Sequence, residues 1–103
     1  MIMTRFDKIR QWGDDKELTG QRGKATIEGQ MEKLQEEFFE LKRAIALDDQ
    51  LEIIDGIGDI VVVLTLLAVM RGTSIERCID SAYDVISKRT GKMVNGVFVK
   101  DAQ

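Results

Sequence analysis

Between Ile53 and Met70 the chain places apolar residues on every side of a helix, through the run IVVVLTLLAVM. The β-branched content of that run would also suit a buried strand, but its unbroken length from Asp49 to Arg71 belongs to a helix. A helix that is hydrophobic all round must be covered all round. A chain of 103 residues forms one domain and has too few other helices to cover it alone. The expected fold is therefore all-α, a bundle of about four helices over residues 1–103, built into a homo-oligomer, either dimer or tetramer. The apolar run of about 11 residues from Ile60 follows three acids and is too short to cross a bilayer, so no membrane span is expected.

Composition narrows the chemistry. Proline is absent, and with 44% hydrophobic and 32% charged residues no stretch reads as a disordered linker. A net charge of -3 gives no reason to expect a nucleic-acid partner. A lone Cys78 and no histidine exclude an intramolecular disulfide, a Cys/His zinc site and the Glu-x-x-His motif of di-iron bundles. The opening MIMTRFDKIRQW has no apolar region of the signal-peptide kind, and a cytoplasmic location is expected, that of the host for a phage-encoded chain.

In chain order, residues 3–15 read as a first helix with Phe6, Ile9 and Trp12 or Gly13 on one side. Residues 18–24, with two glycines and no apolar period, read as a mobile loop. From Thr26 the residues Ile27, Met31, Leu34, Phe38, Leu41 and Ile45 make an apolar stripe of a helix of about 20 residues. Asp49 suits an N-cap, with Glu52 in the capping-box position, and Gly72 suits the residue after the end of the long helix. Thr73 to Glu76, TSIE, is a second capping box, opening a helix to about Arg89 with Ile75, Cys78, Ile79, Ala82, Val85 and Ile86 on its inner face. Cys78 is thus expected in the core rather than as a nucleophile. Asn95 and Gly96, between MV and VFV, predict a short C-terminal β-hairpin or an extended tail.

The acids Glu36, Glu37, Glu40, Glu52, Asp55 and Asp59 lie on the two helices that flank a short break at Asp48 to Gln50. On a helical wheel Glu37 and Glu40 are about 60° apart, and Glu52, Asp55 and Asp59 fall within about 60° of one another. In a helical hairpin the two acidic faces can share one space, where they repel unless a cation lies between them. Ligands drawn only from oxygen suit a hard ion, Mg²⁺ or Mn²⁺. The bland alternative is a solvated face, with Lys33 and Glu37, or Glu40 and Arg43, paired along one helix. Gly56 and Gly58 mimic the start of a dinucleotide fingerprint, but no strand precedes them and no third glycine follows.

EEFFE, a short break, a GD dipeptide opening an apolar helix and the ending GKMVNGVFVK together resemble the MazG-like nucleotide pyrophosphohydrolases of the all-α NTP pyrophosphatase group, over about Ile27 to Lys100. The resemblance implies cleavage of a nucleoside triphosphate between its α and β phosphates, with magnesium held by a Glu-Glu-x-x-Glu and a Glu-x-x-Asp motif. By position these give Glu37, Glu40 and Asp59. The glutamate expected three residues before Asp59 is Gly56, and Asp55 or Glu52 would take its place. The basic phosphate contacts implied fall at Arg89, with Lys88 and Lys92 beside it.

That chemistry fits the residues. With no histidine, Glu37 is the candidate base for an attacking water, and Arg89 or a lysine would offset charge on the leaving pyrophosphate. Base contacts are expected from few side chains, contributed in part by a neighbouring subunit. Two further readings stand beside this one: a member narrowed to dUTP, dCTP or dGTP, and a non-enzymatic helical oligomerisation module whose acids are only surface.

Overall fold

The computed structural model describes residues 2–102. Among them run α1 (Arg5–Asp15), α2 (Ile27–Ala46), α3 (Gln50–Met70), α4 (Ile75–Ile86) and an antiparallel hairpin of β1 (Gly91–Val94) and β2 (Val97–Lys100). The fold is mostly helical, as expected, with the hairpin turned at Asn95 and Gly96, whose φ values of 50° and 81° are those a primed two-residue turn requires.

Helix ends follow from local chemistry. Thr4, Thr26, Asp49 and Ser74 each accept a backbone N–H of the following turn, and Thr4 with Asp7 completes a reciprocal capping box. The second box is shifted from the reading above, since Ser74 and not Thr73 is the cap, and its bond goes to the N–H of Arg77. Three helices end in the same left-handed closure. Leu18 donates to the carbonyl of Gly13, Asp49 to Ala44 and Thr73 to Ala68, while Glu17, Asp48 and Gly72 take the positive φ. Asp48 in this role, followed at once by the cap Asp49, makes the α2–α3 joint very short.

Helix α3 is central and packs against α1, α2 and α4. Its 21 residues include an 18-residue window long and apolar enough to cross a membrane by length and composition alone, as the central helix of a packed bundle also can be. Gly13 sits buried where α1 crosses α3, and a Cβ there would stand 2.6 Å from Leu66 Cδ2. The guanidinium of Arg10 donates to both carboxylate oxygens of Glu76 (2.8 and 2.7 Å) and to Asp7 (2.7 Å), tying α1 to the first turn of α4. The stretch after α1, read above as mobile, is bound in place. Lys24 donates to the Glu17 carbonyl, Ala25 to Leu18, and buried Thr19 donates its hydroxyl to Asp14 at 2.8 Å.

Much apolar surface stays outside. Among the described residues only Ala44, Val63, Leu66, Ala68 and Ile75 of the hydrophobic ones are buried, while Phe38, Phe39, Ile45, Leu51, Ile54, Ile57 and Leu64 are exposed. The radius of gyration, 16.4 Å, exceeds the roughly 13 Å of a compact chain of this length. Helix α4 stops at Ile86 rather than near Arg89, and the face expected to turn inward is covered only at Ile75. Cys78, expected in the core, is exposed, as are Ile79, Val85 and Ile86, because α4 has no second helix of its own chain to lie on.

Candidate active site

Helix α2 meets α3 along one edge of its apolar stripe, where Leu34 and Leu41 are half-buried and Leu41 packs against Gly56. Glu37 and Ala44 are its buried residues, whereas Met31, Phe38 and Ile45 of the stripe point outward. Glu37, 4% exposed, is thereby carried into the seam. Its Oε1 lies 3.2 Å from the Lys33 ammonium, one turn earlier, and its Oε2 is buried with no hydrogen-bond partner. A buried carboxylate oxygen without a donor is costly and calls for a cation or a proton.

Asp59 of α3 faces it. Partial desolvation raises the Asp59 pKa, and the charge of Glu37 and the proton the two carboxyls can share raise it further; Asp55 adds to this and Lys33 opposes it. The Lys33 pKa is raised too, which for a lysine favours the charged form. Its hydrogen bond to Glu37 and that group's charge favour the ammonium, with help from Glu36 and Glu40. The six acids thus divide. Glu37 and Asp59 meet, Asp55 reaches Asp59 through its charge, and Glu36 and Glu40 act on Lys33. Glu52 is exposed on the first turn of α3, where its backbone N–H meets Asp49 (3.3 Å), and only that half of the expected capping box is made.

Among the described residues no three acidic or thiol side chains converge closely enough to hold a metal ion by themselves. The pair at Glu37 and Asp59 nonetheless suits one, having an orphaned buried oxygen, mutual repulsion and only oxygen donors, the set a hard divalent ion takes. Gly56 cannot join them. It is buried against α2, and a Cβ on it would lie 3.4 Å from Leu41 Cβ, so a longer side chain would enter the helix seam.

Both carboxylates line a cavity of about 840 Å³ walled by Trp12, Lys16, Leu18, Lys24, Lys33, Val62 and Leu66, among others. That volume is in the range of small-ligand sites, roughly 300–1,000 Å³. Sequence reading assigned no site role to Trp12, Lys16, Lys24 or Lys33. They come from α1, the following loop and the start of α2, and no spacing in the chain links the first three to the acids.

The basic residues singled out near the end of α4 lie elsewhere. Lys88 and Arg89 line a separate hollow of about 450 Å³ with Asp84, Thr90, Lys100 and Asp101, and Lys88 is 3.7 Å from Asp84. Lys92 is exposed on β1, paired in register with Val99. Within one chain none of the three lines the carboxylate cavity.

No curated protein and no solved structure matches the chain significantly. A family model, that of the MazG nucleotide pyrophosphohydrolase domain, matches residues 25–94, which take in α2, α3, α4 and β1 with both acidic segments. On that match over more than half of its length, the chain belongs to the MazG nucleotide pyrophosphohydrolase domain family.

Proposed function

We propose that the protein is a Mg²⁺-dependent pyrophosphohydrolase that converts (deoxy)nucleoside triphosphates to the monophosphate and pyrophosphate, in control of the cytoplasmic nucleotide pool. One observation carries the reading: Oε2 of Glu37 is buried without a partner, opposite Asp59, on a nucleotide-sized cavity. A purely structural module would have no reason to retain that orphaned charge.

Glu37 and Asp59 would hold the ion, with Glu40 and Asp55 as further oxygen donors and Glu52 as the alternative to Asp55. Bound there, Mg²⁺ (or Mn²⁺) would neutralise the carboxylates and polarise the phosphate oxygens. Glu37, acceptor-only when ionised, is placed to take the proton of an attacking water. Lys33 lies against Oε1, so Oε2 is the oxygen that would face the ion and its bound water. Val62, Val63 and Leu66 form an apolar wall on one side of the cavity. Lys88, Arg89 and Lys92 would offset charge on the pyrophosphate from a neighbouring protomer, in a dimer or tetramer that covers the exposed apolar faces of α2, α3 and α4.

Incubating the protein with each common ribo- and deoxynucleoside triphosphate plus Mg²⁺ tests this and also reveals any narrowing to one base. Equal amounts of monophosphate and pyrophosphate are expected. Release of diphosphate and orthophosphate, or no turnover of any nucleotide, would overturn it.

A further inference from the structure

Trp12 is the single tryptophan of the chain and stays 46% exposed, although α1 turns its neighbour Gly13 fully into the fold. Its ring lines the carboxylate cavity and also a second hollow, of about 340 Å³, formed with Lys8, Ile9, Asp59 and Val62. The tryptophan therefore stands between two hollows that share Asp59 and Val62. Trp12 is also firmly placed. Gly13 allows α1 to approach Leu66, Arg10 clamps α1 to Glu76, and the closure at Glu17 directs Lys16 and, through the Lys24 bond, Lys24 onto the same cavity.

We propose that Trp12 is the stacking wall for the nucleobase of the substrate, a substrate-positioning surface supplied by the segment that precedes the matched residues 25–94. The inference rests on the reading of the site as a nucleoside triphosphate site. One ligand of that class needs three surfaces, and this cavity has all three. The carboxylates Glu37 and Asp59 meet its metal-bearing phosphates. Lys16 and Lys24, the latter 3.6 Å from Glu17 on the same wall, meet remaining phosphate charge, and a half-exposed indole beside Val62 meets a flat aromatic ring. Stacking of this kind accepts any base, because every base has a π face. The site would thus bind by shape and charge, and preference among bases would be modest.

The lone indole makes the test direct. The full chain with Mg²⁺ is titrated with α,β-imido deoxynucleoside triphosphates, which resist cleavage at the bond concerned, and with tripolyphosphate, which has no base. Calorimetry reports binding, and tryptophan fluorescence reports contact with the ring. The expected result is saturable quenching by the nucleotide analogues at the calorimetric affinity, with tripolyphosphate bound but producing little change. Trp12→Ala should raise KM on the order of ten-fold or more and leave kcat within about three-fold, with Trp12→Phe recovering most of the loss. Tripolyphosphate should bind Trp12→Ala as it binds the parent. Hydrolysis and binding without quenching, quenching equal for tripolyphosphate and nucleotide, or an unchanged KM in a folded Trp12→Ala would overturn the stacking role and leave the proposed reaction standing. Absence of both hydrolysis and binding would overturn the two together, and quenching by nucleotides with no hydrolysis would keep the wall and remove the reaction.

Discussion

The ammonium of Lys33 lies 3.2 Å from Oε1 of Glu37, one turn further along the same helix, while Oε2 of that carboxylate is buried without a partner. The pairing is lopsided. Lys33 is itself half exposed, so it offsets part of the Glu37 charge and leaves the side toward Asp59 uncompensated.

Glu37→Gln should therefore lower turnover by about 100-fold or more, as loss of a general base does. Stability of the metal-free protein should hold or rise, because a buried carboxylate that Lys33 compensates on one oxygen only is removed. Millimolar Mg²⁺ should raise the Tm of the parent by linkage and leave that of the variant nearly unmoved. A thermal scan with and without chelator checks this, and full parental activity in excess chelator would contradict it.

Asp55 and Glu52 are expected to separate. Both are exposed, but Asp55 adds to the field that raises the Asp59 pKa, whereas Glu52 sits on the first turn of α3 and makes no reciprocal capping bond. Asp55→Asn should abolish most activity and weaken the response to Mg²⁺. Glu52→Gln should stay within about 0.5 kcal/mol of the parent in stability and close to it in rate. Removing the cap itself, Asp49→Ala, should cost about 1 kcal/mol. An inactive, fully stable Glu52→Gln beside a near-normal Asp55→Asn would show that Glu52 is the ligand.

Oligomerisation is best probed at the exposed apolar faces. Leu66 is 2% exposed and packs within its own chain, and Val62 lines the carboxylate cavity, so a charge at either would report on folding or on that cavity and not on association. Phe39→Glu and Leu64→Glu, at residues 65% and 37% exposed, should instead dissociate or aggregate the protein. Sedimentation at micromolar concentration is the measurement. A stable, active parental monomer would refute the expectation.

Acid should loosen the α1 clamp. Bonds from Arg10 and from Thr4 hold the Asp7 carboxyl near pKa 2, below its ordinary 3.8, and Arg10 likewise lowers that of Glu76. Groups depressed in the folded state stabilise it above their unfolded pKa, and that contribution is lost as pH falls through the folded value. Stability should decline from about pH 4.5 toward pH 2, and Arg10→Met should flatten that part of the curve. Denaturant melts at stepped pH provide the comparison.

Residues near in sequence determined much of this protein. Helical periods, the caps at Asp49 and after Met70 and the Asn95–Gly96 turn are set by interactions within a few positions, so the helices and the hairpin could be read from the chain. The two acidic segments were legible for the same reason, each lying within two turns of one helix. Packing decided what could not be read. Helix α2 has one apolar stripe, and which edge of it meets α3 depends on the contact of Leu41 with Gly56 across the seam; that choice buries Glu37 and leaves Phe38 outside. The range of α4's coverage was also a tertiary matter, since its apolar stripe looks the same whether a neighbour comes from its own chain or from another. Trp12, Lys16 and Lys24 reach the carboxylates only because Gly13 lets α1 lie close against Leu66, a contact between positions more than fifty residues apart that no local pattern encodes.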